Sequence, residues 1–148
     1  MINDPLKVIY DFVHESGLLT KVEYLFNDYF DFAPVSLILH AEHRLLVVNA
    51  VAEDDTVELT TFLPVVESGY TLMDVSSQKP WQKLLHHRLQ WAWLLTNQQG
   101  YFDGIQFAYM DEPNDEPNIP TIIQLQVLAS SFHIFHLVRE HVSSKSSD

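Results

Sequence analysis

The fold is decided where the hydrophobic period changes, in the stretch that follows Gly17: Leu19-Thr20-Lys21-Val22-Glu23-Tyr24-Leu25-Phe26. Apolar and polar side chains alternate here, although imperfectly, which is typical of a β-strand with one buried face. The residues before Gly17 repeat instead at three- and four-residue spacing, as on one side of a helix. The sequence therefore predicts one amino-terminal helix followed by strands.

The residues at the two ends of the first segment also favour a helix. Asp4 can cap the free amides of the first turn, Pro5 suits the first helical position, and Gly17 can supply a left-handed stop. The apolar residues expected to face the core are Leu6, Ile9, Tyr10 and Val13.

Stretches rich in Val, Ile, Leu and aromatic residues recur along the rest of the chain and predict further strands. Short connections separate most of them and favour antiparallel pairing, because a parallel crossover needs a dozen or more residues. Residues 64–80 are expected to form a long irregular loop, followed by a short helical turn at Trp81. The predicted strands cover residues 35–40, 44–51, 57–62, 89–94, 102–109, 121–129 and 132–138, the last of which could instead be a helix capped by Ser131.

Together these elements predict a single α+β domain over residues 1–142, with residues 143–148 as a flexible tail. The helix is expected to pack on one curved antiparallel sheet of about seven to eight strands, a meander or partial barrel, because one helix and one sheet face must cover each other. The trailing strand would leave an unpaired edge. A second copy could cover that edge, so the sequence is compatible with a homodimer.

The composition excludes several functions. Eight Lys and Arg residues against 20 Asp and Glu residues give a net charge of −12, so binding to nucleic acid would meet long-range repulsion. The absence of cysteine excludes a disulfide framework, a thiol nucleophile and a Cys-containing zinc site. No apolar run is long enough for a membrane span, and the first residues do not resemble a signal peptide. We therefore expect a cytoplasmic protein with no membrane association and no cofactor.

One cluster resembles a metal site, His40-Ala41-Glu42-His43. Two imidazoles flanking a carboxylate on a hairpin could converge on a divalent ion. A polar hairpin tip explains the same residues, since such side chains are common on exposed turns. We keep His40, Glu42 and His43 as metal ligands in an alternative hypothesis only.

Two acidic stretches are candidate binding surfaces: the turn at residues 53–55, and a tandem repeat of Asp-Glu-Pro-Asn over residues 111–118. Neither has the alternating oxygen ligands and central glycine of an EF-hand. Solvated turns and linkers explain them as well. The candidate residues are Glu53, Asp54, Asp55, Asp111, Glu112, Asp115 and Glu116.

Residues 97–104, Asn-Gln-Gln-Gly-Tyr-Phe-Asp-Gly, connect the strand that holds Trp91 and Trp93 to the next strand. The connection could be a recognition loop with Tyr101 as an aromatic anchor. Alternatively, Asn97 and Asp103 tie down the loop backbone and the two tryptophans fill the core, since aromatic stripes on strands are more often core than site. Asn97, Tyr101 and Asp103 are candidate binding residues, and we expect both tryptophans to be buried.

These residues resemble a small uncharacterised bacterial domain family. The shared features are the region around Trp81, the Trp-x-Trp strand, residues 97–101 with Asp103, and the acidic Asp54-Asp55-Thr56 turn. The resemblance covers most of the chain and implies no activity and no catalytic residues. In general character the chain is also similar to the small acidic immunity proteins that neutralise toxins.

The sequence contains no complete catalytic motif, and we expect a non-enzymatic binding module. Its acidic surface would meet a basic protein partner, as in other acidic inhibitors, because complementary charge speeds encounter and adds specificity. The alternative is a small-ligand or metal-binding site inside the curved sheet, formed by the His40 cluster or by the Trp91 and Trp93 face.

Overall fold

The computed structural model describes residues 4–29, 33–109, 121–128 and 131–137. In these ranges the chain forms one α-helix, nine strands and one short 3-10 turn at Trp81–Lys83. The bounds are α1 Pro5–Glu15, β1 Leu19–Asn27, β2 Ser36–Ala41, β3 Leu45–Val51, β4 Thr56–Thr60, β5 Tyr70–Asp74, β6 Leu89–Thr96, β7 Phe102–Tyr109, β8 Thr121–Leu128 and β9 Ser131–Leu137.

Helix α1 begins as the sequence predicts, because the Asp4 side chain accepts a hydrogen bond from the Leu6 amide at 3.0 Å. Its buried residues are Ile9 and Phe12. The apolar side is rotated relative to the predicted stripe, whose Leu6 and Tyr10 are exposed. No helix in the described ranges is long and apolar enough to cross a membrane.

The strands form two open sheets, so the expected single sheet of seven to eight strands is not confirmed. The first sheet has the order β4-β3-β2-β1-β5 and the second β6-β7-β8-β9, with antiparallel pairing throughout the described residues. A helix of 11 residues is only about 16 Å long, whereas seven paired strands are about 29 Å across. One helix cannot cover such a face, and a second sheet does.

Both sheets and the helix contribute to one continuous core. Leu39 and Val48 enter it from the first sheet, and Phe107 and Leu125 enter it from the second. Trp81, in the connection between the sheets, is fully buried in the same core. The class is therefore α+β, as predicted, with each sheet covering the apolar face of the other.

Strand β5 lies where the sequence predicts an irregular loop. It pairs with β1, placing Met73 opposite Tyr24 and Leu72 opposite Leu25. All five of its residues are exposed, so no local alternation of burial marks it. Val65, earlier in the same stretch, is also exposed.

The stretch that the sequence left open between a strand and a helix is strand β9. It pairs with β8 along its length, from Ser131 opposite Leu128 to Leu137 opposite Ile122. The expected tail at residues 143–148 lies outside the described residues. The homodimer across this edge stays a prediction.

In the described ranges, Tyr109 holds the one buried side-chain polar atom that lacks a hydrogen-bond partner. Its ring is almost fully buried, and this burial raises the pKa of its hydroxyl. The narrow gap beside it, lined by Phe12, Leu19 and Leu89 among others, has no room for a water molecule. A buried hydroxyl without a partner costs about 1–3 kcal/mol.

Tyr109→Phe is therefore expected to raise the free energy of unfolding by about 1 kcal/mol, measured by urea denaturation with circular dichroism. Tyr24→Phe is the matched control, because the Tyr24 hydroxyl accepts a hydrogen bond from Trp81 Nε1 at 2.5 Å. The control should lose about 1 kcal/mol. Equal losses in both variants would contradict the assignment of an unsatisfied hydroxyl.

Candidate functional site

Trp91 and Trp93 are exposed on the outer face of the second sheet, which corrects the expectation that they fill the core. Their exposed fractions are 52% and 44%. The reason is a β-bulge: Leu89 lies opposite Tyr109, but Trp91 lies opposite Ala108, so β6 has one extra residue at this point. Leu89 points into the core, and the bulge turns both tryptophans outward.

Aromatic and glutamine side chains form the rest of this surface. One cross-strand row runs Trp93, Gln106, Gln124 and Phe135. The next row runs from Trp91 through small and aliphatic residues to Leu137, and Phe135 and Leu137 are exposed. We define the tryptophan face as Trp91, Trp93, Gln106, Gln124, Phe135 and Leu137.

Hydrogen bonds hold the glutamines of this face in place. Gln106 Nε2 donates to Gln124 Oε1 at 2.7 Å, and Gln124 Nε2 reaches Gln126 Oε1 at 3.4 Å. Gln126 Nε2 then donates to the backbone oxygen of Asp103 at 3.1 Å. This series of amides ties β7 and β8 together and fixes side chains between the aromatic residues.

The second sheet carries almost no charge. Among the residues of β6 to β9, Asp103 is the one that is formally charged, although the whole chain has 28 such residues, 8 basic and 20 acidic. Depletion of charge together with exposed aromatic residues is the composition of the centre of a protein interface.

The turn between β6 and β7 lies at one end of the same sheet. Asn97 Oδ1 accepts hydrogen bonds from the amides of Gln99 at 2.9 Å and Tyr101 at 3.1 Å, and Gly100 has a φ of +86°. Asn97 therefore shapes the turn, as the structural alternative predicted. Tyr101 is exposed, and Asp103 lies on β7 beside the glutamine series.

The acidic candidates are not gathered with these residues. Glu53, Asp54 and Asp55 form the turn between β3 and β4 in the first sheet, where Asp54 Oδ1 accepts a hydrogen bond from Thr56 Oγ1 at 2.5 Å. Asp111, Glu112, Asp115 and Glu116 lie outside the described residues.

A family model matches residues 10–140, most of the chain. The chain belongs to DUF6334, a family of unknown function. The match confirms the resemblance to an uncharacterised domain family. No curated protein and no solved structure matches the chain. Membership in DUF6334 assigns no activity to the chain.

The metal candidates of this DUF6334 chain make other contacts. Glu42 Oε1 accepts a hydrogen bond from the Leu18 amide at 2.8 Å, and His40 Nε2 lies 2.6 Å from Glu23 Oε1. Over the part of the chain that the structure describes, no three His, Asp or Glu side chains are placed to hold a metal ion.

Glu23 is a buried carboxylate that sequence analysis missed. It is 6% exposed and lies between His40 and Lys21, whose Nζ is 3.4 Å from Glu23 Oε2. Asp74 lies opposite it on β5, where hydrogen bonds from Ser76 hold the pKa of Asp74 below its usual range. Two features of the sequence could have pointed to this pair: Glu23 lies within a predicted alternating strand, and His40 lies at the hairpin predicted to follow it.

A cleft lies between α1 and the β2–β3 hairpin, which we call the helix–hairpin cleft. Its volume is about 510 Å³. The residues that line it are Val8, Asp11, Phe12, His40, Ala41, His43, Arg44, Leu45 and Thr61. Two of the three metal candidates, His40 and His43, thus share a cleft, and Glu42 is not among the residues that line it.

Proposed function

We propose that the chain is a non-enzymatic binding module whose tryptophan face contacts a basic protein partner. The observation that supports this is a pair of half-exposed indoles, Trp91 and Trp93, on a sheet that is nearly free of charge. Tryptophan supplies a large apolar area and is enriched among the residues that dominate binding energy.

The proposed partner is basic because the chain as a whole is acidic and because an acidic segment follows β7 in the sequence. The segment between β7 and β8 carries the four carboxylates of the Asp-Glu-Pro-Asn repeat. In the sequence it comes shortly after Tyr109, and the residue immediately before Tyr109 pairs with Trp91. The net charge of −12 would attract a basic protein and speed its encounter.

The test compares three immobilised proteins: the wild type, the double variant Trp91→Ala/Trp93→Ala, and the control Tyr29→Ala. Tyr29 is an exposed aromatic residue that follows β1 in the other sheet. A protein retained by the wild type and by the control is purified and titrated calorimetrically into all three proteins. Two lost tryptophan contacts should weaken its binding by about 100-fold or more.

Circular dichroism should show the same fold for all three proteins, because the replaced side chains are exposed. The purified partner should be basic, and added salt should slow its association with the wild type. Equal binding of the partner to the double variant would refute the assigned surface. An acidic partner, or an association rate that salt does not change, would refute the electrostatic part.

A further inference from the structure

The helix–hairpin cleft has the size of a small-molecule site and lies apart from the tryptophan face. Its volume of about 510 Å³ falls within the range of about 300–1,000 Å³ that is usual for such sites. Val8 and Phe12 of α1 and Leu45 of β3 form an apolar wall, and His43 and Arg44 of the hairpin add polar groups. An apolar wall with a few converging polar groups is the usual composition of a ligand site.

Arg44 brings positive charge into a chain that has little of it, with eight basic residues against 20 acidic ones. One guanidinium nitrogen donates to the Glu15 carboxylate, but a guanidinium has five N–H donors. The two side chains of this pair are 42% and 51% exposed. Exposed ion pairs contribute little to stability, so a ligand carboxylate can bind alongside Glu15 or replace it.

The acidic residue of the cleft already has a partner. Lys7 Nζ lies 2.7 Å from Asp11 Oδ2, and this hydrogen bond lowers the pKa of Asp11 and raises that of Lys7. The charge of Asp11 is thereby balanced along the helix. On the opposite side of the cleft, His43 lies beside Arg44 and can donate a hydrogen bond in either protonation state.

We propose that the helix–hairpin cleft binds a small carboxylate with a short apolar tail. The carboxylate would accept hydrogen bonds from Arg44 and His43, and the tail would pack against Val8, Phe12 and Leu45. The proposal does not depend on the partner of the tryptophan face, because a different sheet and the helix form the cleft.

Three probes of equal chain length test the ligand class: hexanoate, hexylammonium and 1-hexanol, each titrated into the ¹⁵N-labelled protein and followed by amide chemical shifts. Long-range attraction in a chain of net charge −12 favours the ammonium. A preference for hexanoate can therefore come only from the local site. We expect hexanoate to bind most tightly, with shifts at Val8, His43 and Leu45.

Arg44→Met should weaken hexanoate binding by at least about tenfold, because it removes a charge-assisted hydrogen bond. Arg88→Met is the matched control, since Arg88 is exposed and does not line the cleft, and it should change binding less than twofold. Tighter binding of hexylammonium, absence of hexanoate binding at millimolar concentrations, or an unchanged affinity in Arg44→Met would overturn the proposal. If Arg44→Met failed to fold, the comparison of probes on the wild type would decide alone.

Discussion

Trp81→Ala is expected to lower the free energy of unfolding by about 4 kcal/mol, one of the two largest effects we predict. Trp81 is fully buried, packs edge-to-face on Tyr24 with 6.4 Å between ring centroids, and donates its Nε1 hydrogen bond to the Tyr24 hydroxyl. Truncation removes this packing, opens a cavity in the core and leaves the Tyr24 hydroxyl without its donor. The total free energy of unfolding of a small domain is only about 5–15 kcal/mol, so little stability would remain.

Urea denaturation followed by far-ultraviolet circular dichroism measures this loss without relying on tryptophan fluorescence. Trp93→Ala is the matched control, because it removes the same side chain from an exposed position. The control should change stability by less than about 1 kcal/mol. Similar losses in the two variants would show that Trp81 is not the anchor that its burial indicates.

Gly104→Val is expected to lower the free energy of unfolding by about 3 kcal/mol. A Cβ at Gly104 would lie 2.7 Å from the backbone oxygen of Leu125, and 3.1 Å from Leu95 Cδ1. A backbone oxygen in a paired strand cannot move aside without disturbing the register of β7 and β8. The substitution should also weaken partner binding, since the glutamine series bridges these two strands.

Gln106→Val provides the control for Gly104→Val. It places the same β-branched side chain two residues further along β7 and on the same face, where it replaces a partly buried glutamine. We expect a loss below about 1 kcal/mol. Equal melting temperatures of the two variants in a thermal denaturation would contradict this prediction. They would show that the close approach of the backbones at Gly104 does not restrict which side chain the sheet tolerates there.

Much of the local structure could be predicted because it depends on neighbours in the sequence. The cap at Asp4 and the alternation in β1 report interactions within a few residues, and the structure contains both the helix and the strand. Strand β5 could not be found in this way. Its residues are all exposed, and its stability comes from pairing with β1, which is more than 40 residues earlier in the chain.

The candidate site was predicted only in part. Trp91 and Trp93 could be singled out from the sequence, but they were expected in the core because aromatic stripes on strands are more often core than site. Strict alternation would indeed place them on the same face as the buried Leu89. The bulge after Leu89 shifts the phase by one residue, and a shift of one residue turns each following side chain to the opposite face. The shift is set by pairing with β7, so no pattern within β6 reveals it.

By itself, the sequence determined the charge of −12, the absence of cysteine chemistry, the amino-terminal helix and most of the strands. These follow from composition and from interactions between residues close in the chain. Only the tertiary structure decided that the strands divide into two sheets, that the tryptophans face outward, and that Arg44 and His43 meet Val8 and Phe12 across a cleft. The physical reason is that a period of two specifies two faces for each strand, whereas the strand's partner and the covering layer specify which face is buried.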